Sequence, residues 1–253
     1  MEGFVALDEK HVLVTGGGTG IGAAIAQSLA HAGASVTIAS RNLDRLQELA
    51  STSDNISAIS LDVTNAGHVA EVFAGLGDVD ILINNAGAAL TAPFHKMSEE
   101  IWSQMLGVNL TGTFLCTQAA LAPMKMKNWG RIINIASTAA HKGYAYTSAY
   151  CAAKHGVVGM TKALALELAG TGITANCVCP GFTDTQIVAD AIENITAKTG
   201  RSEEEALGEL VKGNPQKRLI EPEEVANAVL WLCRDESRSI TGQSINVAGG
   251  EVM

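Results

Sequence analysis

Short apolar runs alternate with stretches that repeat apolar residues at helical spacing, and the alternation continues along the whole chain. The run at 11–14, His-Val-Leu-Val, passes through a glycine-rich turn into a helical pattern over 23–32 that stops at Gly33. Further runs at 35–39, 56–61, 81–83, 131–135, 174–178 and 244–247 predict strands, and the patterns at 43–50, 66–74, 98–124 and 150–169 predict helices. The long helical stretch 98–124 is expected to bend at Gly107 or Gly112. Glu221-Pro222-Glu223-Glu224 opens another helix, with proline near its first turn and carboxylates at its positive end. Strand and helix in alternation predict an α/β fold: a doubly wound parallel sheet of about seven strands with helices on both faces. The polar segment 183–215, rich in Glu and Lys, is set into this pattern as an insertion. Without a Pro/Ser linker, a repeat or a low-complexity tract, residues 1–253 read as one domain.

Composition refines this little. A chain of 253 residues with 47% hydrophobic and 17% charged residues and 26 glycines suits a large core joined by many tight turns. A net charge of −9 and a pI of about 5.1 argue against nucleic acid or an anionic membrane surface as partner. No run of about 18 apolar residues is present and residues 1–10 lack a signal pattern, so a soluble, cytoplasmic protein is expected. Of the five cysteines, Cys177 and Cys179 alternate in a strand and share one face. No nearby Cys or His completes a metal set, so buried reduced thiols are expected and no metal.

Two stretches carry candidate chemistry. Tyr150 and Lys154 stand four residues apart in a predicted helix, one turn from each other on one face. A cation beside a phenol, whose ordinary pKa is about 10, favours the phenolate and brings proton exchange toward neutrality. Taken alone, the pair is more readily a core tyrosine next to a solvated lysine. Gly16, Gly20 and Gly22 lie between a strand and a helix, where missing side chains let backbone approach a pyrophosphate and the helix N-terminus offers N–H groups. A tight turn without ligand is the plain alternative. The spacing Gly-x-x-x-Gly-x-Gly also differs from the common dinucleotide fingerprint.

Thr15-Gly16-Gly17-Gly18-Thr19-Gly20-Ile21-Gly22, with the motifs that follow it in order, resembles the short-chain dehydrogenase/reductase family in its one-domain form, over nearly the whole chain. Asp62-Val63 resembles the pair that contacts adenine, and Asn84-Asn85-Ala86-Gly87 the motif that supports the sheet beside the cofactor. Asn109, Ser137, Tyr150 and Lys154 match the family's catalytic four, and Pro180-Gly181 with Thr183 resembles the loop that holds the nicotinamide end. Ala248 departs from the aspartate often found near the C-terminal strand.

The resemblance implies a Rossmann-like NAD(P)-binding domain and reversible hydride transfer between nicotinamide and a carbonyl or secondary alcohol. Tyr150 is then the proton donor or acceptor, and Ser137 stabilises the same oxygen. Lys154 lowers the tyrosine pKa and binds the nicotinamide ribose, and Asn109 helps hold a water. Tyr144 and Tyr146 are rival phenols without a lysine four residues on, while Thr138 and Ser148 are rival hydroxyls. His141 and Tyr144 are candidates for the substrate entrance. After the second strand stand Ser40, Arg41 and Asn42, with no carboxylate for a ribose 2′-hydroxyl and an arginine able to fork onto a 2′-phosphate. This favours NADP(H), with NAD(H) as the alternative.

The chain is most similar to 3-oxoacyl reductases and 3-hydroxyacyl dehydrogenases, which makes a small-molecule carbonyl or alcohol the expected partner. Segment 183–215 then falls where a substrate lid belongs. Its Lys198, Arg201 and Lys212, with the following Lys217 and Arg218, lie among glutamates and read as a salt-bridged helix face rather than an anion site. A homotetramer is expected by analogy with the family. A rival from another class is a non-catalytic NADP(H)-binding sensor; against it, all four catalytic positions are filled.

Overall fold

The computed structural model describes residues 7–253. Seven strands, β1 (His11–Thr15), β2 (Ser35–Ser40), β3 (Ile56–Ser60), β4 (Ile81–Asn84), β5 (Gly130–Ile135), β6 (Ile173–Pro180) and β7 (Ser244–Val247), form one parallel sheet in the order β3-β2-β1-β4-β5-β6-β7. Every pairing is parallel and continuous, for example Val12 with Val36 on one side and with Ile81 on the other. The strand order carries the chain outward from β1 in both directions. The order therefore reverses between β1 and β4, the switch point at which open α/β sheets bind ligands, at the carboxyl ends of their strands.

Both faces of the sheet are covered, which is why its strands are apolar at successive positions. Val12 and Val14 of β1, Ile81 and Ile83 of β4 and Ile133 of β5 meet helices α1 (Gly20–His31) and α9 (Pro222–Cys233), through Ile25, Leu29, Val225 and Val229. Their alternates Leu13, Leu82 and Ile132 face α3 (Ala66–Leu76), α5 (Gly112–Lys127) and α6 (Ser148–Leu168), through Val69, Cys116, Met124 and Leu168. Each such side chain contributes roughly 1.5–3 kcal/mol through its removal from water. Helix α2 (Leu43–Ala50) is capped by Asn42, whose side chain accepts the Arg45 N–H.

The predicted bend in 98–124 is a break of different kind. Helix α4 (Glu99–Leu106) continues into a π-helical turn, Gly107–Thr111, before α5 begins. The 29-residue run Glu99–Lys127 is long and apolar enough to cross a bilayer by composition. Here its buried Met105, Cys116, Ala120 and Met124 serve the core. Segment 183–215 folds as two helices, α7 (Gln186–Thr199) and α8 (Glu203–Val211), the second opened by a reciprocal Ser202–Glu205 capping box.

Candidate active site

The motifs quoted from the sequence converge on the carboxyl edge of the sheet. The loop after β1 is held open by glycine. Gly16 has φ +65°, and a Cβ there would lie 2.9 Å from Ala86 Cα; a Cβ on Gly22 would fall on the Gly16 carbonyl oxygen. Asn85 fastens this loop to β4, since its Nδ2 donates to the Thr15 and Gly16 carbonyls at 3.1 and 2.9 Å. Thr15 lies beneath the loop rather than on its surface: its buried hydroxyl accepts the Asn85 and Ala86 N–H groups, both at 3.0 Å. Its part in holding a cofactor is therefore indirect.

The loop ends at the N-terminus of α1, where the N-cap Thr19 makes no side-chain cap and no acidic residue stands in the first turn. The leading N–H groups of this helix, with the crowded glycine cradle below them, fit a pyrophosphate. A Cβ on Gly20 would lie 2.9 Å from Thr185 Cγ2, so the start of the 183–215 segment closes over the same cradle.

At the end of β2, Ser40 and Asn42 bond to each other, with the Ser40 hydroxyl 3.2 Å from both the backbone oxygen and the N–H of Asn42. Arg41 is exposed and makes no ion pair among the described residues. Asp62 accepts the Thr64 hydroxyl and N–H at 2.7 and 2.9 Å. Those bonds, helped by Arg41 and His68, hold its carboxyl below the ordinary range. Val63 is buried, and a Cβ on Gly112 would lie 2.7 Å from its Cγ2. Its side chain belongs to the core, so only its backbone is available to a ligand.

Ser137 follows β5, Tyr150 and Lys154 stand in the first two turns of α6, and Asn109 lies in the π turn. The Ser137 hydroxyl faces the Tyr150 phenol closely enough to lower its pKa by hydrogen bonding. Burial acts the other way and prevails, so the Tyr150 pKa is raised, not lowered as the sequence predicts. Lys154 is 5% exposed, its Nζ donates to the Ile135 carbonyl at 2.8 Å, and it stands 5.6 Å from the Tyr150 ring centroid. Burial lowers its pKa to about 8. The sequence supplies the charged partner but not the dry surroundings, and these decide the direction.

Asn109 is 1% exposed, and its side chain is engaged by protein. Nδ2 donates to the Ala88 and Met105 carbonyls at 2.9 and 3.0 Å, and Oδ1 accepts the Ala88 N–H at 3.3 Å. Both amide hydrogens of Nδ2 are thus taken up by protein carbonyls.

Of the rivals, Tyr146 is 64% exposed with φ +69°, and Thr138 and Tyr144 bond each other at 2.6 Å. Ser148 is directed to Met97 Sδ at 3.7 Å. His141 is exposed, and partial burial with nearby cations lowers its pKa. Cys177 and Cys179 share one buried face, as predicted, with thiols pushed up to about 11 and about 12.

Two features escape sequence reasoning. A buried polar ladder crosses the sheet below the site, from Thr117 to Asn84, Asn134 and Thr161, in steps of 2.9, 2.8 and 2.8 Å. The C-terminal Glu251 also reaches into the loop after β5. Both are pairings between distant residues, and no local pattern announces them. Three of the five cations named in and after segment 183–215 meet carboxylates: Arg201 and Lys212 lie 4.0 and 3.8 Å from Glu209, and Arg218 lies 2.6 Å from Glu224, whereas Lys198 and Lys217 form no ion pair among the described residues.

The family model described as enoyl-(acyl carrier protein) reductase matches residues 16–251. The chain is 37% identical to the D-beta-hydroxybutyrate dehydrogenase of Rhizobium meliloti over 254 residues, covering 95% of this chain and 98% of that one. It is 40% identical to the acetoacetyl-CoA reductase of the same organism over 243 residues, covering 94% and 97%. Among solved structures, a variant of actinorhodin polyketide ketoreductase with NADPH superimposes with a TM-score of 0.92 at 36% identity, covering 96% and 97%. The chain belongs to the short-chain dehydrogenase/reductase family and is a nicotinamide-dependent oxidoreductase acting on hydroxyl or ketone groups.

Proposed function

We propose that this chain is an NADP(H)-dependent reductase of 3-oxoacyl or similar ketones, with Ser137, Tyr150, Lys154 and Asn109 as its working residues. The observation that carries the coenzyme preference is Arg41, unpaired among the described residues, at a strand end without a carboxylate. When bound, a nicotinamide coenzyme would supply the hydride for the carbonyl carbon, or accept it in the reverse direction. Gly16, Gly18, Thr19, Gly20, Ile21 and Gly22 would hold its pyrophosphate, and Ser40 and Arg41 its adenosine phosphate. Asp62 and Val63 would flank its adenine, and Asn85, Ala86, Gly87, Pro180, Gly181 and Thr183 would line the path to the reacting ring.

Tyr150 carries its proton at neutral pH, as any phenol with a pKa near the ordinary value of about 10 does, and would donate it to the carbonyl oxygen as hydride arrives. Ser137 donates to the same oxygen and stabilises the charge that develops there. Lys154 is held beside the phenol, and its positive charge stabilises the phenolate when the proton leaves. Asn109 fixes Ala88, and with it the floor next to Gly87. His141 and Tyr144 flank the substrate side.

A second reading, an NAD(H)-dependent 3-hydroxyacyl dehydrogenase, draws on the D-beta-hydroxybutyrate dehydrogenase relative. Absorbance at 340 nm separates the two. NADPH oxidation with acetoacetyl-CoA is expected, whereas NADH oxidation with acetoacetate, or NAD+ reduction with D-3-hydroxybutyrate, and no turnover of acetoacetyl-CoA with NADPH would favour the second. Tyr150→Phe should reduce turnover by about a thousandfold while NADPH still binds. Turnover within tenfold of wild type would remove Tyr150 from its role. Arg41→Ala should raise the KM for NADPH by roughly 10- to 100-fold, the equivalent of a lost charge-assisted bond, and leave that for NADH unchanged.

A further inference from the structure

Glu251 takes no part in the chemistry above, yet its side chain is 3% exposed. Its Oε1 accepts the Tyr144 hydroxyl at 2.7 Å and the Lys142 ammonium at 2.8 Å. The Tyr144 oxygen stands 2.6 Å from the hydroxyl of Thr138, the neighbour of Ser137. The Tyr144 ring packs edge-on against Phe182, with centroids 5.9 Å apart. Oε2 lies 3.2 Å from the place a Cβ on Gly181 would take, and Oε1 lies 3.1 Å from that of Gly213. One carboxyl group thus joins the loop after β5, the turn after β6, the end of the lid and the tail.

The tail is built to deliver it. Gly249 and Gly250 have φ +59° and +88°, a conformation that side chains rarely adopt. A Cβ on Gly249 would fall on the Asn214 side chain, and one on Gly250 would stand 3.3 Å from Pro215. Burying a carboxylate is costly and is offset only when charge and hydrogen bonds meet it, as Lys142 and Tyr144 do here. A neutral, apolar side chain would fill the space at lower cost but would leave the Tyr144 hydroxyl and the ammonium unheld. The observed group fixes the direction of Tyr144.

We propose that Glu251 is a positioning residue of the substrate side, holding Tyr144 and the 138–147 loop against the turn at Gly181 so that the wall beside Ser137 keeps one shape. The inference rests on the reading of Ser137 and Tyr150 as the reacting pair. The test compares Glu251→Gln, Tyr144→Phe and the double variant in the full chain. Hydrogen exchange, read without substrate, should quicken about tenfold in Glu251→Gln at the amides of His141, Lys142 and Thr147, which bond the Thr138 and Tyr144 carbonyls. Exchange in β1 and β5 should not change.

With acetoacetyl-CoA and NADPH, KM should rise about tenfold and kcat change less than threefold. Tyr144→Phe should move KM in the same direction, and the double variant should be no worse than Glu251→Gln. Unchanged exchange over 138–147, exchange raised equally in β5, or additive effects of the two substitutions would each overturn the proposal. Should the wild type turn over no acetoacetyl-CoA with either coenzyme, the functional reading fails, and the exchange measurement still decides the role of Glu251.

Discussion

At the scale of single residues, the site is organised around two titratable groups, the buried Lys154 and the half-buried Tyr150. Lys154 has a carbonyl as its hydrogen-bond partner and, among the described residues, no carboxylate within 4 Å, so burial lowers its pKa to about 8. The sign of the stability effect follows from proton counts. Between about pH 8 and 10.5 the unfolded chain still binds this proton and the folded one has released it, so in that window the lysine's contribution to stability rises with pH. Below about pH 8 both states carry the charge and the full penalty remains. Replacing Lys154 by Met removes that penalty, on the order of 3 kcal/mol, against roughly 1 kcal/mol lost with the bond to Ile135. Lys154→Met should therefore melt higher than wild type at pH 7 and show little advantage at pH 10.5, with turnover abolished. A lower melting temperature at pH 7 would show that the ammonium stabilises the fold. Such opposition between stability and activity is expected where a charge is kept buried for its chemistry.

At the scale of elements, the π turn at 107–111 does what a regular helix would not: it brings Asn109 to Ala88, at the end of the loop after β4. Leucine at this position keeps the volume but orphans the Ala88 N–H and carbonyl, at about 1–3 kcal/mol for each group left unpaired. Asn109→Leu should lower the melting temperature by roughly 5–10 °C, measured by calorimetry. An unchanged melt would mean that Ala88 finds other partners. The seven strands, the glycine loop and the order of the motifs were legible because each is local: a strand buried on both faces writes a continuous apolar run, and a cradle at a helix start writes glycine. The π turn was legible only as two glycines near a bend, since its cause is a bond from Asn109 to a residue 21 positions away. The direction of the Tyr150 pKa, the ladder through Asn134 and Thr161 and the reach of Glu251 depend on packing between distant segments. Thr15 and Val63 matched the motif but face inward, because a motif records which residues recur and not which of their atoms meet the ligand.

At the scale of the whole molecule, β7 is an outer strand of the sheet, and unpaired strand edges are sites of association unless covered. Apolar side chains flank this edge on both faces of the sheet. Leu166 of α6 is 80% exposed, beside Ala165, which a Cβ on Gly242 would touch at 3.3 Å; Trp231 of α9 is 39% exposed. Within β7, Ser244 Oγ and Asn246 Oδ1 are buried without partners. A second apolar face lies on α4 and α5, where Trp102 and Phe114 are 39% and 45% exposed. Two separate self-complementary faces on one chain generate a tetramer with dihedral symmetry, whereas one face stops at a dimer. We therefore propose a homotetramer, and light scattering should give about 105 kDa, four copies of a 26.3 kDa chain. Leu166→Glu should halve that mass by opening the β7 face alone, and Phe114→Glu should halve it by opening the other. The two together should yield monomer. A wild-type mass of one chain would overturn the assembly, and a tetramer that survives both substitutions would place its interfaces elsewhere on the surface.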